Sequence, residues 1–93
     1  MRLREQELGN KNIIGTKIEQ ERKKKNIKQK DLLALLQLQG VDISSSALSK
    51  IEGQLRLVTD IELVALAKSL RVSADYLLGL KKERAKRTKK KSS

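Results

Sequence analysis

The sequence predicts an all-α fold. Proline is absent from all 93 residues, and no stretch alternates apolar and polar positions with the period of two that marks a strand. Instead, apolar residues recur three and four positions apart from about Asn12 to Leu80, the spacing of helical faces. A chain of this length has room for one small core, so a single helical domain is expected.

Five helices can be placed in order. Between Asn12 and Lys25, Ile14, Ile18 and Arg22 lie four apart and share a face, and Asn26 suits a left-handed stop. From Gln29 to about Gln39, Leu32, Leu33, Leu35, Leu36 and Leu38 form a stripe wide enough to predict a helix nearly surrounded by others, ended by Gly40. These leucines read as core rather than as a zipper, because no heptad continues past Gly40. The third helix is the serine-rich "SSSALSKIEG", with Leu48, Ile51 and Glu52 on one face, Ser45, Ser46, Ser49 and Lys50 largely outside it, and Gly53 as the stop. Thr59 and Glu62 have the spacing of a capping box opening the fourth helix, whose apolar face is expected from Ile61, Val64, Leu66, Ala67 and Leu70. Ser73 caps a short fifth helix that buries Tyr76 and Leu77 before Gly79.

Charge narrows the class of partner. Lys and Arg number 22 against 11 Asp and Glu, a net charge of +11, which favours polyanions. Residues 81–91 hold eight Lys or Arg and one acid, so most of the excess lies in a tail expected to be disordered or partly helical. The chain lacks Cys, His, Trp and Phe and has a single aromatic residue, Tyr76. Without His and Cys, most nucleophile–base pairs and all thiolate or imidazole metal sites are excluded, and the carboxylates show no spacing of a paired acid and base, so no catalytic residues, metal or cofactor are expected. Single strands usually stack on aromatic platforms, and these are missing too, which leaves duplex DNA as the better polyanion. No apolar run approaches the roughly 20 residues of a membrane span, and with no disulfide framework the expected setting is cytoplasmic, with the nucleoid.

By residue pattern alone, the serines suit a solvated turn and a DNA-reading surface equally well. The run "IGTKIEQERKKKNIKQKDLLALL…ISSSALSKIEG…TDIELVALAKSLRVSADYLLG" resembles the Cro and phage-repressor, or XRE, family of helix-turn-helix DNA-binding domains over about residues 13–80. The resemblance implies a five-helix lambda-repressor-like domain at 12–80, between an N-terminal arm at 1–11 and the basic tail at 81–93. It implies that Ser44 caps the recognition helix, that Ser45, Ser46, Ser49 and Lys50 face base edges, and that Gln29, Gln54 and Arg56 meet phosphates; Lys28 departs from the family, standing where Ser or Thr commonly caps the second helix, and is a candidate phosphate contact by its charge. Arg22 and Glu52 match a family ion pair between the first and third helices, and their core-facing stripes suggest the same pairing. The implied protein is a transcriptional repressor, a homodimer on double-stranded DNA with half-sites about one helical turn apart. Two other readings remain: an antitoxin-like module that binds a protein partner, and a scaffold whose tail binds RNA or a membrane surface. The connection "QLQGVDI" is about five residues longer than family members usually have. It must either lengthen the second helix or reshape the turn.

Overall fold

The structure, a computed structural model, describes residues 8–81. It contains α1 (Gly15–Lys24), α2 (Gln29–Leu38), α3 (Ser45–Glu52), α4 (Asp60–Leu70) and α5 (Ala74–Leu77), with no strand among the described residues. Helices α1 and α2 each pack on both α3 and α4, and α5 rests on α4. One cluster fills the centre, built from Ile14 and Ile18, Leu32 and Leu36, Leu48 and Ile51, Leu66 and Leu70, and Leu77, with Val41, Ala65 and Ala67 at its edge. Each fully buried aliphatic side chain contributes about 1.5–3 kcal/mol. Apart from Lys81, the basic tail lies outside the described residues, as do residues 1–7 of the arm.

Local chemistry sets the helix ends. Helix α1 starts at Gly15 rather than at Asn12, because the Asn12 side-chain oxygen accepts from the N–H groups of Ile14 and Gly15 at 3.1 and 2.8 Å. A Cβ on Gly15 would collide with the Ile51 carbonyl, so glycine is what lets α1 begin against the end of α3. Asn26 ends the helix at φ 59°, as its tolerance of the left-handed region predicts. The caps at Ser44, Thr59 and Ser73 form as expected, each accepting from the N–H three residues on. Glu62 completes the capping box by accepting from the Thr59 N–H at 3.0 Å.

Two expectations are corrected. Helix α2 is not surrounded: Leu32 and Leu36 are buried, but Leu38 is 83% exposed, because α3 and α4, the helices that chiefly pack on α2, leave that side open. On α4 the buried stripe is Ala65, Leu66, Ala67 and Leu70, while Ile61 is 71% and Val64 47% exposed on a neighbouring stripe that no helix covers. Gly53 ends α3 as expected, as its C-cap, but without the left-handed conformation seen at Asn26 and Gly40. It sits at φ −85°, and Gln54, at φ 61°, takes that conformation. The Leu55 N–H then reaches the Lys50 carbonyl at 2.7 Å and the Gln54 N–H the Ile51 carbonyl at 3.0 Å, the two bonds of a Schellman ending. Of the two outcomes open to the long connection, the second holds: α2 keeps ten residues and the turn is reshaped. Gly40 turns the chain at φ 85°, and Val41 is buried while its N–H bonds the Leu36 carbonyl at 2.9 Å.

Helix α4 ends on Arg71 at φ 61°, a conformation in which a Cβ is strained. Arg71→Gly is therefore expected to raise stability by about 0.5–1 kcal/mol. A urea titration with an unchanged midpoint would show that Arg71 carries no such strain.

Candidate functional site

The third helix is anchored on one side and open on the other. Leu48 and Ile51 enter the core, and Glu52 goes in with them at 1% exposure. Burying a carboxylate is tolerable only when it is paired and hydrogen-bonded. Here Arg22 donates to it twice, Nε to Oε2 at 2.7 Å and Nη2 to Oε1 at 3.0 Å, in the two-pronged geometry that makes such pairs strong. The remaining Arg22 nitrogen, Nη1, donates to the Ile27 carbonyl at 3.0 Å and so fixes the turn between α1 and α2.

Gln29 extends this network to the surface. Its Nε2 donates to Glu52 Oε1 at 3.1 Å, and its Oε1 accepts from the Ser49 hydroxyl at 3.4 Å, a long bond. The first residue of α2 thus touches the buried ion pair and the outer side of α3 together. Beyond Ser49 the outer face of α3 is Ser45, Ser46 and Lys50, all exposed or half-buried at its rim. That face is short-chained and polar and carries one cation at its far end. Lys28, exposed just before α2, has no acceptor with which to cap it, and Asp31 closes the helix end instead by accepting from the Lys28 N–H at 3.2 Å. Lys28 thus stays exposed as the N-cap residue of α2, next to Gln29 in the chain.

The other two residues singled out for phosphate contact sit in the loop after α3 and are engaged within the fold. Gln54 donates from Nε2 to the Asn12 carbonyl at 2.6 Å and accepts from the Thr16 hydroxyl at 2.9 Å. Arg56 donates Nη1 and Nη2 to the two carboxylate oxygens of Glu62 at 2.9 and 3.0 Å. The Arg56 hydrogen bonds hold the Glu62 carboxyl below its ordinary value of 4.5, partial burial opposes them, and the Thr59 N–H adds to the lowering. The same pairing raises the Arg56 guanidinium.

The pH dependence follows from the sign of that shift. A carboxylate whose folded pKa is lowered stabilises the fold above 4.5 and loses that contribution as pH falls through the lowered value. Between neutral pH and strong acid, the melting temperature of Glu62→Gln is therefore expected to fall less than that of the wild type. Parallel pH curves for the two proteins would remove this role.

Other residues important to the scaffold are harder to find from residue pattern. Glu21 is buried and receives Lys24 at 3.4 Å, Lys25 at 3.3 Å and the Tyr76 hydroxyl at 3.2 Å, tying α1 to α5. Its signal is its spacing, seven after Ile14 and three after Ile18, which puts it on the buried stripe. Asn12, besides opening α1, donates to the carbonyls of Ile51 and Arg56 at 3.1 and 2.9 Å. Gly9 and Lys11 also join the domain, their N–H groups bonding the carbonyls of Gly53 and Gln54 at 2.8 Å each.

Comparison with solved structures decides the family. The crystal structure of the P22 c2 repressor, in complex with a synthetic operator, shares 34% sequence identity with this chain at a TM-score of 0.58, and the match covers 75% of this chain and 98% of the repressor chain. The chain belongs to the Cro and phage-repressor helix-turn-helix family. No family model matches the sequence, and no curated protein matches it. As in other members of an XRE-type family, α2 and α3 are the two helices of the motif. In this member a turn built on Gly40 and Val41 joins them, and the Arg22–Glu52–Gln29 network locks them together. Among the described residues, no helix is long and apolar enough to cross a membrane.

Proposed function

We propose that this XRE-family protein is a DNA-binding transcriptional repressor that inserts α3 into the major groove of double-stranded DNA. The observation that carries this reading is the two-sided character of α3: an inner edge fixed by a buried bidentate ion pair, and an outer face of Ser45, Ser46, Ser49 and Lys50 with room to approach base edges. The repressor it resembles was crystallised with operator DNA, which supports the same use of the fold. Serine hydroxyls donate or accept and so pair with several bases, while Lys50 suits the acceptors of guanine. Sequence preference therefore leans partly on DNA shape. Lys28 and Gln29 meet phosphate at the N-terminus of α2, where free backbone N–H groups and the helix dipole favour an anion. Gln54 and Arg56 reach phosphates by exchanging their present partners.

The protein acts inside the cell, on the nucleoid, as a homodimer whose two α3 helices address half-sites one helical turn apart. Residues 12–80 form the reading domain, residues 1–11 an arm, and residues 81–93 a basic segment that attaches to backbone phosphates. Selection of genomic fragments by the purified full chain tests the reading. A symmetric enriched motif is the expected result, and the absence of any motif would overturn it in favour of protein, RNA or membrane binding. Deleting residues 81–93 is expected to flatten the plot of log affinity against log salt, by about 0.9 for each phosphate that the tail neutralises. An unchanged slope would keep the tail off the DNA.

A further inference from the structure

We propose that the exposed apolar face shared by α2 and α4, carrying Leu38, Ile61 and Val64, is where a second copy of this chain docks, with the two α4 helices antiparallel across a two-fold axis at Val64. Leu38 is 83%, Ile61 71% and Val64 47% exposed, and all three stand where residue pattern predicts core. Ile61 and Val64 line a shallow depression of about 360 Å³ together with Gln39, Asp60, Ala65 and Lys68, and Leu38 directly precedes the lining residue Gln39 in the chain. A uniformly apolar depression would not say what covers it. Its charges do.

Asp60 and Lys68 are both exposed, and neither has an ion-pair partner among the described residues. They lie four residues before and four after Val64. With a rise of 1.5 Å per residue, one charge sits about 6 Å along the helix on each side of that valine. A two-fold axis through Val64 reverses the second helix, so each Asp60 faces the other copy's Lys68 and the valines meet at the centre. A parallel arrangement would instead set like charges together. The patch is thus complementary to itself, which is what an isologous interface between identical chains requires. None of Ser45, Ser46, Ser49 and Lys50 lines the depression, so the pairing does not draw on the side chains proposed to read DNA. Three aliphatic side chains are a small core for an interface of about 800 Å² per partner, and dilution should therefore shift the dimer toward monomer.

The inference deepens the DNA-binding reading by naming the dimer surface, and it is tested without DNA. In sedimentation equilibrium the full-length wild type should dimerise with concentration. Asp60→Lys places lysines at both ends of the patch and Lys68→Asp places acids at both, so each variant alone should associate at least tenfold more weakly. An equimolar mixture of the two should recover dimerisation, because every cross-pair is again of opposite sign. Circular dichroism checks that the variants stay helical, and Leu38→Gln, at a side chain that packs little within its own fold, provides a second probe should a charge variant unfold. A wild type that stays monomeric up to its solubility limit would overturn the proposal. So would a dimer indifferent to all three substitutions, or single variants that weaken it without recovery on mixing. Fragment selection with a Val64→Glu variant separates the two readings: a half-site motif in place of a symmetric one removes the dimer and keeps the DNA binding, whereas loss of every motif in a wild type that still dimerises removes only the DNA binding.

Discussion

Glu52→Ala is expected to lower the stability of the domain by about 3–5 kcal/mol, because it leaves the Arg22 guanidinium buried without a counter-charge. The carboxylate is 1% exposed and takes two Arg22 bonds and one from Gln29, so alanine removes three accepted hydrogen bonds together with the pairing charge. The loss is structural on both sides of the motif: Arg22 also holds the Ile27 carbonyl before α2, and Gln29 opens that helix. For a domain of this size each kcal/mol moves the melting temperature by roughly 4–8 °C, so the transition should shift by more than ten degrees. A thermal melt overlaying the wild type would exclude the role. The double variant Arg22→Met with Glu52→Leu separates charge from packing. Removing both charges while keeping volume should recover most of the stability, since replacing a buried pair with apolar groups is often neutral.

Lys50→Ala carries the second large effect, on recognition. If Lys50 reads a guanine, its removal should relax preference at one operator position and weaken binding to the preferred base by about 1–3 kcal/mol. Lys28→Ala should behave differently, weakening all sequences alike and reducing the salt slope by about one unit, as a phosphate-binding lysine does. A scan of every operator base in which Lys50→Ala leaves each preference unchanged would show that Lys50 is not a base reader. The distinction matters because the three serines beside it offer only short hydroxyls, and Lys50 is the long side chain of that face.

Much of the fold is legible in short-range chemistry. Ser44, Thr59 and Ser73 cap because a hydroxyl reaches an N–H three residues ahead, and Asn26 and Gly40 stop helices because they tolerate positive φ. The Ile14, Ile18 and Arg22 stripe is likewise an i, i+4 relation, readable without any neighbour. Gly53 ends α3 but leaves the left-handed turn to the next residue. A glycine after a helix attracts the left-handed assignment, yet Gly53 is buried with its carbonyl bonded to Gly9, and Gln54 absorbs the turn.

For the candidate site, residue pattern marks which side chains belong together but not how each is engaged. Gln54 and Arg56 fit a phosphate-binding loop until Asn12, 42 residues away from the first of them, and Glu62 are seen to hold them. Sequence alone settled the number and order of the helices, the Ser44, Thr59 and Ser73 caps and the inward position of Leu48 and Ile51. It did so because those features depend on bonds and spacings within one or two turns. Only the tertiary structure decided that Leu38, Ile61 and Val64 stay uncovered, that Gln29 links the buried ion pair to Ser49, and that the long connection folds into a turn. Each of these depends on which helix lies across which face, a relation between residues far apart in the chain that helical periodicity does not encode.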